Sequence, residues 1–452
     1  MIGRQIIISG LILTLLAVTA ATVGALWTQP ETELLSSQQV FALFETQAEK
    51  EWLSNLTDQQ AAFRERLNTR LAVNPDDHEA QMLKGLFFFQ TGRLNAALEE
   101  LKALIDKAPR FQLAHLIYGD LLLARFDLLD EIGSAPILAE LISDDEQRID
   151  QLRKEAKARL QGYLSLLETA GIPRALVSLS QTVEHALIVD KSKNRLYVYQ
   201  NAGTAVPPKL IDDYYIVLGK QPGNKKQRGD LKTPSGIYFV TGHIADEDLP
   251  RKYGSGAFPV NYPNEYDRFL RKTGDGIWLH GTHKDLYSRP PLDSEGCVVL
   301  TNDEFTRIGQ YVAPGTTPVI ISEQVEWISP SDWLDRTIEL QAKLENWRQD
   351  WERADIGAYL NNYSADFWTN GHDYNSWKTY KKRVLSRKKS QDISLSNLSL
   401  FAYPRQSVAG QEMIVANFQQ HYRSNNYSGD MAKRLYLVHE NGDWRILYEG
   451  RQ

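Results

Sequence analysis

Sulfur is nearly missing from this chain: 452 residues hold four methionines and one cysteine, Cys297. One cysteine cannot close an internal disulfide, so no covalent staple supports the fold. Secreted proteins usually carry cysteines in pairs, and a single thiol set between Ser294-Glu295-Gly296 and the apolar run Val298-Val299-Leu300 suggests chemistry. The alternative is a buried thiol packing as a small hydrophobe. Positive charge is not in excess either. Lys and Arg number 51 against 57 Asp and Glu, a formal net charge of −6 that argues against a nucleic-acid partner. Long uncharged apolar stretches are confined to the N-terminus, where residues 6–27 follow Arg4 and would span about 33 Å as a helix. A hydrophobic content of 42% excludes wholesale disorder, and the length calls for two to four domains.

The thiol has a natural partner in sequence. A thiol near its free pKa of about 8.5 is mostly protonated at neutral pH, so a nucleophilic cysteine needs a base or a positive neighbour. His280 ends a strand-like run, Gly276-Ile277-Trp278-Leu279, and Cys297 opens another, so two neighbouring strands would bring imidazole and sulfur together. His283, three residues on, tempts a metal reading. The only other nearby ligands are Asp285, Asp293 and Glu295, which is poor material for zinc, so His283 reads as a solvated loop histidine and no metal or cofactor is expected. Residues 219–229 are rich in Gly and Lys like a phosphate cradle. They lack the Gly-Lys-Ser/Thr ending and no helix pattern follows, so they read as a flexible hairpin connection.

The residues His280-Gly281-Thr282 and Ser294-Glu295-Gly296-Cys297 resemble the signature of the L,D-transpeptidase catalytic domain, the YkuD-like fold. The resemblance extends through Ile188-Val189-Asp190, Leu218-Gly219-Lys220, Lys232-Thr233-Pro234-Ser235-Gly236 and Phe258-Pro259-Val260-Asn261-Tyr262-Pro263-Asn264, covering residues 183–323. It implies Cys297 as nucleophile, His280 as general base and acid, and the carbonyl of Gly281 as the group that orients the imidazole. It also places main-chain N–H groups around Gly296 and Cys297 toward a developing oxyanion, with Ser294 hydrogen-bonded inside the loop and residues 232–236 forming a structural turn beside the cleft. One departure stands out: the family often has an Arg two positions after the cysteine, and this chain has Val299.

Around that segment the sequence reads as a multidomain α+β protein. Residues 1–30 form a membrane anchor or signal segment, either an uncleaved anchor with Arg4 in the cytoplasm or a peptide cleaved after Ala25. Both deliver the rest outside the inner membrane, to the periplasm, where peptidoglycan lies. Residues 38–170 read as α-helical. Pro75 and Pro109 are 34 apart, as are Gly85 and Gly119, and Gly85, Ala97 and Pro109 fall where a tetratricopeptide repeat puts its small residues and closing proline. Such a short stack would be capped by helices near 38–71 and 146–168 and would serve dimerisation or docking of a protein partner. A plain helical bundle is the competing reading.

Residues 335–452 pass from Trp-rich helices to strand-like runs at 393–403, 412–422, 433–440 and 443–448, with Asn441-Gly442 as a hairpin signal. This order resembles a SnoaL-like cone, the nuclear-transport-factor-two-like fold. Seven of the ten Trp lie beyond residue 320, which suits sugar stacking, although core packing accounts for most aromatics. The basic run Lys378, Lys381, Lys382, Arg383, Arg387, Lys388 and Lys389 reads as a solvated helix face, with contact to an anionic glycan as the alternative.

Together these readings describe an envelope cysteine enzyme of acyl transfer on peptidoglycan tetrapeptide stems. An amine acceptor makes it an L,D-transpeptidase. A water acceptor makes it an L,D-carboxypeptidase, as the pairing with a cone resembles cell-shape-determining L,D-carboxypeptidases of helical and curved bacteria. A reading of another class is a non-catalytic scaffold that binds peptidoglycan glycan strands.

Overall fold

A computed structural model describes residues 47–124, 146–167, 171–203, 206–408 and 411–452. The apolar segment 6–27 and the first part of the expected capping helix lie outside the described residues. Among those described, no helix is long and apolar enough to cross a membrane. The chain divides into two compact units, one made of the N-terminal helices with Asp285–Pro291, the other of Thr169–Lys284 and Leu292–Gln452.

The first unit contains helices Gln47–Val73, His78–Gln90, Leu94–Lys107, Gln112–Leu123 and Glu146–Leu167. Asp77 starts the second by accepting the main-chain N–H of Ala80 at 2.8 Å. Apolar positions three and four apart, such as Leu98, Leu101 and Leu104, bury one face of the third helix against Ala80, Leu83, Phe111 and Ile117. Gly85 is a packing glycine, since a Cβ there would lie 2.8 Å from Leu101 Cγ. Gly119, its partner in the 34-residue spacing, has nothing within 4 Å of a Cβ, so the two glycines are not equivalent. One buried ion network ties the helices together: Arg159 donates to Glu155 and to Glu79, both at 2.9 Å, in a dry setting where an unpaired charge would be costly.

In the second unit two β layers enclose one apolar core. The larger sheet runs Lys209–Tyr215, Arg195–Gln200, His185–Asp190, Pro318–Ser322, Gly236–Phe239, with His185–Asp190 and Pro318–Ser322 parallel. The smaller runs Val298–Val299, Trp278–His280, Gly256–Pro259, Ile244–Ala245. Between them pack Leu187, Val189, Tyr238, Phe258, Leu279, Val298 and Val319. Near-continuous apolar runs such as Leu187-Ile188-Val189 are what a doubly covered strand requires.

Residues 330–451 form helices Pro330–Glu352, Ile356–Asn361 and Tyr374–Leu385 against a long antiparallel sheet, built mainly by Gln391–Ala402, Met413–Ser424, Tyr427–Glu440 and Asp443–Arg451. Asn441 and Gly442 adopt φ of 53° and 78°, the two left-handed residues of a tight hairpin between Glu440 and Asp443. Trp333, Trp347 and Trp351 are all buried, so these indoles serve packing and not sugar stacking. The sheet's seventh strand comes from upstream of the two β layers: Leu176–Ser178 pairs with Gln391–Ala402, and Trp333 Nε1 donates to Leu176 O at 2.8 Å. The architecture is thus the expected helical region, mainly-β centre and α+β cone, with the cone completed by a strand from residues 176–178 that no local pattern assigns to it.

Candidate active site

Two short strands position the candidate residues His280 and Cys297. Trp278–His280 and Val298–Val299 are parallel neighbours, with Leu279 beside Val298 and His280 beside Val299. Continued one step back, this register sets Cys297 level with Trp278, so that Cys297 and His280 project from the same face of the pair. Leu300 N donates to His280 O at 2.9 Å and secures the end of the pairing.

His280 is buried, and its Nδ1 donates to the carbonyl of Gly281 at 2.6 Å. A carbonyl only accepts, so Nδ1 carries a proton, and it is Nε2 that acts as acceptor whenever the ring is neutral. Tyr253 stands edge-on to the imidazole at 4.9 Å and tilts against Trp278 at 5.0 Å, walling the ring in. Gly281 has no room for a side chain: a Cβ would lie 2.3 Å from Asn302 Oδ1 and 2.9 Å from Ser255 N. Asn302 in turn accepts the Ser255 N–H at 3.0 Å, fastening the Tyr253 turn beside the catalytic strand. Neither Tyr253 nor Asn302 emerged from the sequence, because neither belongs to a periodic pattern or a spaced pair.

The cysteine loop is held from within. Ser294 Oγ donates to Cys297 O at 2.7 Å and accepts the Gly296 N–H at 3.1 Å. The Gly296 N–H is therefore held by Ser294 in this arrangement. The glycine is required at this position: its φ is +128° and a Cβ would meet Lys232 O at 2.7 Å. The Lys232 turn therefore abuts the nucleophile loop, and Thr233 Oγ1 accepts the Gly219 N–H at 2.9 Å.

Cys297 is half-buried and its thiol donates to Gly276 O at 3.4 Å. The protein packed around the sulfur pushes the thiol up to about 11; the Trp278 main-chain N–H pulls the other way, Glu295 adds to the rise, and Lys252 and Lys225 weakly oppose it. In the free protein the sulfur is accordingly a neutral thiol.

Val299 is buried and bridges Val217 through a reciprocal pair of main-chain hydrogen bonds, so position 299 packs as a strand residue. Lys225 is buried against Asp230 at 2.8 Å. Asp230 also accepts the N–H groups of Lys226 and Gln227, and despite its burial these partners hold it down at about 2. Residues 219–229 are thus a pinned loop joining strands of two different sheets, not the flexible hairpin the composition suggested. His283 is half-buried, and among the described residues no group of three or more His, Cys, Asp or Glu is placed to hold a metal ion.

A second polar cluster fills the cone. Lys381 departs from the solvated face expected of the basic run: it is buried, its Nζ 4.5 Å from the rings of Trp351 and Trp377 and 5.0 Å from Tyr359. Burial pushes it down to about 8, with Glu449 pulling back. Glu449 accepts from Tyr363 at 2.7 Å and pairs with Lys433, and the two ammonium groups outweigh its burial to keep it ionised.

The segment that carries His280 and Cys297 is also one that a family model matches. Residues 184–321 match the L,D-transpeptidase catalytic domain. Residues 339–450 match the Cds6 C-terminal NTF2-like domain. Among solved structures, the chain is similar to Bd1075 of Bdellovibrio bacteriovorus, at 29% identity over 62% of this chain and 98% of that one, with a TM-score of 0.55. It is also similar to the helical cell shape determining protein Pgp2 of Campylobacter jejuni, at 26% identity over 64% of this chain and 99% of that one, with a TM-score of 0.52. A comparison with curated protein sequences finds no match.

Proposed function

We propose that the protein is an envelope L,D-transpeptidase that acts on peptidoglycan tetrapeptide stems through an acyl-enzyme on Cys297, in cell-wall remodelling that sets cell shape. The observation that carries this reading is the Nδ1 bond of His280 to Gly281 O, which leaves Nε2 as a base on the face shared with Cys297. Because the resting thiol is neutral, deprotonation accompanies attack: Nε2 takes the thiol proton as sulfur adds to the carbonyl between the third residue's L-centre and the terminal D-Ala. Collapse breaks the C–N bond, His280 returns the proton to the departing D-Ala amine, and a thioester remains. An amine of a neighbouring stem then attacks the thioester while His280 accepts its proton, releasing the thiol.

Hydrolysis is the second reading, favoured by the pairing of this catalytic domain with an NTF2-like domain and by the likeness to a cell-shape protein. Residues 6–27 would hold the chain at the inner membrane or direct its export, and the helical region would serve a second copy or a protein partner.

The test is mass spectrometry of purified tetrapeptide stems incubated with the protein and with its Cys297→Ala variant. Cross-linked dimers support transpeptidation and tripeptide alone supports hydrolysis, provided Cys297→Ala forms neither. Absence of any product overturns the reading and leaves the wall-binding scaffold, whereas products that survive in the variant overturn Cys297 as the nucleophile.

A further inference from the structure

The stretch between the two reactive residues leaves the catalytic layers part-way. Asp285–Pro291 belongs to the helical unit, while His280–Lys284 on one side and Leu292–Cys297 on the other do not. Within that unit the segment is held by side chains from two helices and from Phe111, the residue that caps a third. The ring of Tyr287 lies 4.3 Å from that of Phe111 at 32°, and its hydroxyl shares a hydrogen bond of 2.9 Å with His78 Nδ1. Ser288 Oγ donates to Glu155 Oε1 at 2.6 Å. These are built contacts: Phe111 is fully buried, and Glu155 is fixed by Arg159, itself bound to Glu79.

A loop that only joined two strands would not need such anchorage. Connections normally run over the surface, and sixteen residues separate His280 from Cys297 with only short pairings between them. The anchored middle removes freedom from both arms. One arm contains Gly281, whose carbonyl orients His280, and the other contains Ser294 and Gly296, which shape the nucleophile loop.

We propose that Tyr287 and Ser288 are positioning residues through which the helical unit sets the geometry of the active-site stretch 281–297. The helices are then an input to catalysis, and whatever engages or displaces them changes the reactivity of Cys297. The inference takes Cys297 and His280 as the reacting pair, as proposed above, but it does not depend on the acyl acceptor.

The test uses the full chain, in which Cys297 is the only thiol, and two readouts that should move in opposite directions. In Tyr287→Ala and Ser288→Ala, release of the loop should open the sulfur to solvent and raise iodoacetamide labelling at pH 7 by about tenfold, because relief of burial restores part of the thiolate fraction. Turnover of tetrapeptide should fall about tenfold in kcat with KM little changed, since misplacement of a reacting group acts on the chemical step. Tyr287→Phe, which keeps the ring on Phe111, should recover most of both. Hydrogen exchange should quicken in 281–297 and stay unchanged in the core helices, which separates loop release from unfolding. Labelling and exchange within a factor of two of the parent in both alanine variants overturn the proposal. Those two readouts need no substrate, so they remain decisive if the protein proves inactive on stem peptides.

Discussion

Iodoacetamide should label Cys297 slowly at neutral pH and ever faster as pH rises, without the early plateau of a preformed thiolate. The packing around the sulfur pushes the thiol up to about 11, and none of the charges acting on it is large enough to reverse the burial. At pH 7 the thiolate fraction is then about one in ten thousand, and about one in a hundred at pH 9; an unperturbed thiol would label about a hundredfold faster at pH 7. The assay is the second-order labelling rate between pH 6 and 11, read by intact mass on a protein with one possible site. His280→Ala should leave that profile nearly unchanged, because the imidazole does its work only when the proton moves during attack. A flat profile from pH 6 to 8 that collapses in His280→Ala would refute the reasoning, since it would mean a resting thiolate–imidazolium pair. A linked effect fixes the sign for stability. An acid whose folded pKa is raised keeps its proton longer folded than unfolded, so its contribution is complete below about pH 9 and is lost as pH climbs toward 11. Cys297→Ala should remove that part of the alkaline fall.

Gly296→Ala should abolish turnover and lower stability by about 1–3 kcal/mol, because a Cβ would strike Lys232 O at 2.7 Å in a left-handed conformation; product assays and thermal melting read the two losses. Truncation to residues 183–323 should give an aggregating fragment, since it strips Phe239 of Phe401 and Arg434, and Asn264 of Tyr403; a well-folded monomer by scattering and calorimetry would contradict this. Lys381→Met should stabilise the protein at pH 7 by on the order of 1–3 kcal/mol, as a buried ammonium pushed down to about 8 opposes folding while it is protonated. The unfolded chain binds that proton more tightly between about pH 8 and 10.5, so the parent should gain on the variant across that window in urea titrations.

The candidate pair is legible in the sequence because its signal is local. His280-Gly281 and Ser294-Glu295-Gly296-Cys297 are short, ordered and fixed by backbone requirements such as the positive φ of Gly296. The cone's hairpin was equally legible, since Asn441-Gly442 can only turn one way between alternating strands. What escaped is what depends on distance along the chain. Tyr253 and Asn302 meet His280 and Gly281 through tertiary packing, and Phe111 finds Tyr287 176 positions further along the chain. Lys381 misled for a different reason. It stands among basic residues that do face water, and only the aromatic interior of the cone shows that its one turn of helix points inward.

The strand Leu176–Ser178 has a consequence for how the chain is made. Its partner Gln391–Ala402 is synthesised more than 200 residues later, and Ser180 N must wait for Ser399 Oγ, 219 positions downstream. At a synthesis rate of about 5–20 residues per second, that wait lasts roughly 10–45 s, during which this segment has no ladder to join. The catalytic layers can close in the meantime, because Pro318–Ser322 is already present to pair with His185–Asp190. A strand made late therefore captures a segment made long before it, after the layers encoded between the two have had time to close.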